Sequence, residues 1–145
     1  MDDLTQVEAD RLFALTKCRT SEEQVDWPVG AKVAVLLTSV DGRDEFILDV
    51  ATSSIKLSKV TLQNRARTTA ILARLDIDGR PHRNPDDVEI SSPHIHLFRE
   101  GFNDKWAFAV PAEHFSDLSD RVKILEDFLR FCNVVEPPVF NFGLF

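Results

Sequence analysis

The chain has 145 residues, 43% hydrophobic and 28% charged, which suits one folded domain with its own core and excludes fibrous and intrinsically disordered classes. A formal net charge of −7 argues against general affinity for nucleic acid, which depends on clustered lysine and arginine. The two cysteines, Cys18 and Cys132, are too widely separated for a disulfide framework or a metal knuckle and are expected to be reduced, each within a helix.

The first seventeen residues read as an amphipathic helix, with Leu4, Val7, Leu12, Phe13, Ala14 and Leu15 forming its apolar stripe. Asp2, Asp3, Glu8 and Asp10 stand where a secretory leader needs basic and then apolar residues, and no apolar run reaches membrane-spanning length. A cytoplasmic protein with no membrane partner is expected. Arg19 to Gly30 carries turn residues, with Trp27 as an anchor to the core. Lys32 to Ser39 and Glu45 to Val50 read as strands joined through Asp41-Gly42.

From Ile55 the alternation slips phase near Ser58 and Lys59, predicting a bulge or a bend there in a strand that runs on towards Arg67. Val60, Leu62, Asn64 and Ala66 share one face of it, while Lys59, Thr61, Gln63, Arg65 and Arg67 share the other. Thr69 to Ile77 repeats the pattern with Arg74 opposite an apolar set. Between Thr52 and Arg83, seven basic residues against two acidic ones leave a local charge of +5 in an acidic chain. His82 to Ser92 reads as a polar loop, Pro93 to Glu100 and Lys105 to Val110 as a hairpin. A final helix capped by Ser116 or Ser119 carries Leu118, Val122, Leu125, Leu129 and Cys132 towards the core and stops before Pro137-Pro138. The aromatic tail containing Phe140, Phe142 and Phe145 must pack on the domain or on a partner, a homodimer being the second option. The sum is an α+β fold, residues 1 to 145 as a single domain, with an antiparallel sheet of about five or six strands and a helix at each end.

Three of the four histidines, His82, His94 and His96, fall within fifteen residues. On a strand His94, His96, Phe98 and Glu100 would share one face. Neutral imidazoles with a carboxylate are ligands for a divalent metal, the only cofactor suggested, and the candidate set is His82, His94, His96, Asp86 and Glu100. The His-x-His-x-x-x-Glu run is similar to the opening of the cupin metal motif, but the second cupin motif is missing. Without a metal, the same imidazoles serve as general acid and base, with Arg65 and Arg67 on a phosphate and Lys59, Arg74, Asn84 and Lys105 as further substrate contacts. The competing structural reading makes His94 and His96 hydrogen-bonding posts for the His82 to Ser92 loop.

The stretches Gln63-Asn64-Arg65-Ala66-Arg67, Arg74-Leu75-Asp76-Ile77-Asp78-Gly79-Arg80-Pro81-His82-Arg83-Asn84-Pro85-Asp86, Pro93-His94-Ile95-His96-Leu97-Phe98-Arg99-Glu100-Gly101 and Asp104-Lys105-Trp106-Ala107 resemble a domain-of-unknown-function family of small bacterial and prophage proteins. Asp87 stands where that pattern has glycine, and Phe98 where it has tyrosine. The resemblance implies a mobile-element setting of toxins, antitoxins and inhibitors of defence systems. Two functions are therefore expected in order: a ribonuclease-like phosphodiesterase of toxin type acting on RNA, or a non-catalytic acidic protein that inhibits a nucleic-acid-binding partner.

Overall fold

The computed structural model describes residues 4–143; Asp2, Asp3 and Phe145 lie outside the described residues. The first helix, α1 (Gln6–Ala14), starts where Thr5 Oγ1 accepts the Glu8 amide at 3.1 Å and buries Ala9 and Leu12. It is shorter than the periodicity predicts. Lys17 is fully buried, and its ammonium donates to the carbonyls of Phe13 (2.9 Å), Leu15 (2.9 Å) and Cys132 (2.8 Å). These groups would otherwise be orphaned at two helix ends, so the lysine ends α1 and sends the chain into β1 (Lys17–Arg19). Cys18 therefore lies in a strand, and Cys132 is the C-cap of the last helix.

After β2 (Val25–Asp26), the strands β3 (Lys32–Ser39) and β4 (Glu45–Thr52) pair as expected, joined by a loop in which Gly42 takes a φ of 77°. Ser53 to Lys59 is a loop, which corrects the expected strand: Ile55 is 95% exposed, so the phase slip marks a connection with no buried face. Then β5 (Val60–Ala66) and β6 (Ala70–Ile77) form a hairpin, the register slipping between Asn64 and Arg65. The polar loop holds a small ribbon, β7 (His82–Arg83) with β8 (Glu89–Ile90), followed by β9 (His94–Leu97) and β10 (Ala107–Ala109). The strand expected to reach Glu100 ends at Leu97, and Phe98 turns into the hydrophobic core. The second helix, α2 (Arg121–Phe131), is capped by Asp120, whose Oδ1 accepts from Val122 and Lys123; Ser119 instead bonds Asp117. The chain ends in β11 (Val134–Glu136) and β12 (Phe140–Asn141), the latter pairing with β2.

Eight strands form one sheet in the order β10-β9-β6-β5-β4-β3-β1-β11, antiparallel except for the parallel β1–β11 pair. The fold class is α+β as expected, the sheet being extended by short edge strands. One face carries Leu37, Phe46, Leu48, Val50, Leu62, Leu75 and Ile95 and packs with Ala9 and Leu12 of α1 and Ile124, Leu125 and Phe128 of α2. Phe140 and Phe142 close on Trp27 at ring distances of 6.4 and 6.0 Å, so the described part of the tail packs on its own domain. No helix among the described residues is long and apolar enough to cross a membrane. The opposite sheet face carries Leu36 and Ile47 on β3 and β4 and is polar on β5, β6 and β9.

Candidate functional site

Register builds the site. In β6, Ala73, Leu75 and Ile77 enter the core, which turns Arg74 and Asp76 to the polar face. In β9, Ile95 enters the core and His94 and His96 turn the same way as Arg74 and Asp76. The β6–β9 pairing sets Arg74 opposite His96 and Asp76 opposite His94, so four polar side chains from two adjacent strands meet. The β7–β8 ribbon and the turn before β10 fold over them and bring His82 to the mouth.

His94 and His96 are buried, 2% and 1% exposed, and their rings stand 4.9 Å apart; the half-buried His82 ring is 4.6 Å from His96 and 6.0 Å from His94. His94 Nε2 lies 3.4 Å and His96 Nε2 3.1 Å from the same Asp76 oxygen, Oδ2. His94 Nδ1 faces the Ser91 carbonyl at 3.3 Å, and His96 Nδ1 faces the Asp104 carbonyl at 2.8 Å. Arg74 spans the cluster: Nε donates to Asp76 Oδ2 (3.2 Å), Nη2 lies 3.1 Å from His96 Nε2, and Nη1 donates to Asp104 Oδ2 (2.7 Å). Burial raises the Asp76 pKa, but the His96 hydrogen bond and the charges of Arg74 and the histidines outweigh it and hold the carboxyl at about 2. Burial, with the neighbouring His96, pushes the His94 imidazole below its ordinary value.

The cluster floors a groove of about 240 Å³ whose walls include Lys59, Thr61, Arg80 and His82. Residues 4–134 of the chain match the family of unknown function DUF6978. The chain belongs to that family. No curated protein and no solved structure matches it. Membership in DUF6978 assigns no activity, and the groove has to be read from its own groups.

Of the residues expected in a site, His82, His94, His96, Lys59 and Arg74 line this groove. Arg65 is held by Asp49 through Nε (2.7 Å) and Nη2 (3.0 Å), and Arg67, in the β5–β6 turn, bonds Glu8 of α1 at 2.8 Å. Asn84 is buried under the edge of β10, where its amide both donates to the Ala107 carbonyl (2.9 Å) and accepts the Ala107 amide (2.8 Å). Lys105 contributes its carbonyl, which accepts from His82 Nε2 at 2.7 Å. Asp86 is exposed and bonds the Val88 amide, and Glu100 accepts the Gln6 amide of α1 at 2.7 Å. These two carboxylates are not placed with the imidazoles, because the strand that would have aligned Glu100 with them ends three residues earlier. Asp76 takes that place. Its only signal in the sequence is alternation: it sits with Arg74 on the polar side of a strand whose other side is Ala73, Leu75 and Ile77.

Proposed function

We propose that this groove is the active site of a small phosphodiesterase and that RNA is its substrate class. The observation that supports the reading most is the meeting of three imidazoles with Lys59, Arg74 and Arg80 in one solvent-reaching groove, inside a chain that is otherwise acidic. Lysine and arginine at such a mouth bind a phosphate diester and offset the charge that gathers on it in the transition state. His82 is suited to be the base. Its Nε2–H donates to the Lys105 carbonyl, which leaves the lone pair on Nδ1. In RNA the nucleophile is already present. The 2′-hydroxyl gives its proton to His82 Nδ1 as its oxygen bonds phosphorus, the bond to the 5′-oxygen breaks, and that oxygen takes a proton from water. Arg74, fixed through Asp76 and Asp104, is a phosphate contact with a set direction.

The test is cleavage of a mixed-sequence RNA oligonucleotide by the purified chain, with a DNA oligonucleotide beside it. RNA cleavage is expected, and His82→Ala should lower it by about 10²-fold or more at unchanged thermal stability. No cleavage of RNA, or equal rates for the variant and the parent, would overturn the reading. The alternative of an acidic inhibitor would then be the one to pursue, through loss of partner binding when surface carboxylates are reversed.

A further inference from the structure

The groove floor has a property that phosphate binding does not use. Each buried imidazole points Nδ1 at a main-chain carbonyl oxygen, Ser91 for His94 and Asp104 for His96. In a neutral ring that contact fixes the hydrogen on Nδ1 and leaves the lone pair on Nε2. Both Nε2 atoms are then turned on Asp76 Oδ2, at 3.4 and 3.1 Å, and the ligand atoms of all three residues lie within 4.8 Å of one another. Three electron-pair donors facing one another repel unless a proton, as in a His96–Asp76 hydrogen bond, or a metal cation stands among them.

The two distances to Asp76 Oδ2 fit an ion, and the set as a whole, within 4.8 Å, is close enough to close on one. Metal bonds of about 2.0–2.2 Å, at tetrahedral or octahedral angles, put neighbouring donors roughly 3.0–3.5 Å apart. Carbonyl acceptors on the far nitrogen of each ring are also the usual support of a metal-bound histidine, since they fix tautomer and orientation together. The competing cation is Arg74, whose Nη2 and Nε occupy His96 Nε2 and Asp76 Oδ2 at 3.1 and 3.2 Å. Its third anchor, Asp104 Oδ2 at 2.7 Å, gives the guanidinium a place to remain if those two contacts are given up.

We propose that Asp76, His94 and His96 form a binding site for one divalent first-row transition ion, which displaces the Arg74 guanidinium from His96 and Asp76. Two imidazoles and one carboxylate select zinc or iron(II) over magnesium or calcium, which take oxygen ligands. The remaining positions of the ion face the groove. That a phosphate oxygen fills one of them rests on the phosphodiesterase reading; binding of the ion does not.

The test titrates the chelator-stripped full chain with zinc by calorimetry and with cobalt(II) by visible absorption. One ion per chain is expected, with ligand-field bands of nitrogen and oxygen donors. Asp76→Asn should weaken binding at least tenfold, and the pair His94→Gln with His96→Gln should abolish it. Arg74→Gln should tighten binding about tenfold or more, because it removes a positive charge a few ångströms from the ion. That arm keeps both histidines and stays informative if the double variant fails to fold. Absence of saturable binding in both the parent and Arg74→Gln, binding that survives the double histidine change, or a thiolate-to-cobalt band placing the ion on a cysteine would each overturn the proposal. RNA cleavage by a chain that binds no ion in the titration would sink the metal site and leave the activity. Saturable binding without cleavage would do the reverse.

Discussion

Asn84 offers the sharpest test of how the site is held together. Its amide closes both main-chain groups of Ala107 on the outer edge of β10, through hydrogen bonds of 2.9 and 2.8 Å, and it lies in the same segment as His82. Asn84→Ala removes two buried bonds and orphans one N–H and one C=O. At about 1–3 kcal/mol for each buried group left unpaired, the loss should be about 2–6 kcal/mol, the lower figure applying where water reaches the edge. With a urea dependence of about 2 kcal/mol per M, the unfolding midpoint should fall by about 1–3 M. Asn84→Asp keeps the shape but sets an oxygen against the Ala107 carbonyl, so it should cost at least as much at pH 7. Native-state hydrogen exchange at the Ala107 amide reads the local part of the effect, and RNA cleavage reads the displacement of His82. An unchanged midpoint together with an unchanged Ala107 exchange rate would show that the ribbon docks by some other means and that the reasoning is wrong.

Two further outcomes are expected. Burial lowers the Lys17 ammonium to about 8 and raises the Cys132 thiol to about 12. From about pH 8 to 10.5 the unfolded chain holds the Lys17 proton that the folded chain has lost, so this group adds stability as pH rises, by about 3 kcal/mol at most. Above about pH 9 the folded chain retains the Cys132 proton that the unfolded chain loses, so stability falls again. Urea unfolding across pH 7 to 11 should therefore show a maximum between these limits, and Lys17→Met should abolish the rising limb while keeping the fall. Asp120→Ala should cost about 0.5–2 kcal/mol in thermal or urea unfolding, since its carboxylate caps α2, whereas Ser116→Ala should be close to neutral because Ser116 is not the cap.

Much of the fold was legible because alternation and turn chemistry agree locally. Val60, Leu62, Asn64 and Ala66 do face inward, and the α2 stripe of Leu125, Leu129 and Cys132 is buried. Where periodicity misled, a single long-range contact decided the outcome. Lys17 is polar by type yet fully buried, because three carbonyls from two helix ends converge on it, and no window of local sequence contains that fact. The histidine cluster was legible as three imidazoles close in sequence. Its carboxylate was not: Asp86 and Glu100 are near in sequence, while Asp76 is near in space, and only the register of β6 with β9 joins it to His94. The arginines chosen on charge alone, Arg65 and Arg67, are held by Asp49 and Glu8, since a solvated basic residue is as readily paired as offered to a ligand.

The same lysine couples the order of events during synthesis. Its ammonium rests on the Cys132 carbonyl, 115 positions away, and its own strand lies parallel to the segment that begins at Val134, so each segment is completed by one made much later or earlier. A nascent polypeptide lacking that final stretch would leave a cation facing an apolar interior, with the β1 edge unpaired. The central hairpins, built from neighbours in sequence, face no such delay and can form before Lys17 meets the segment at Val134.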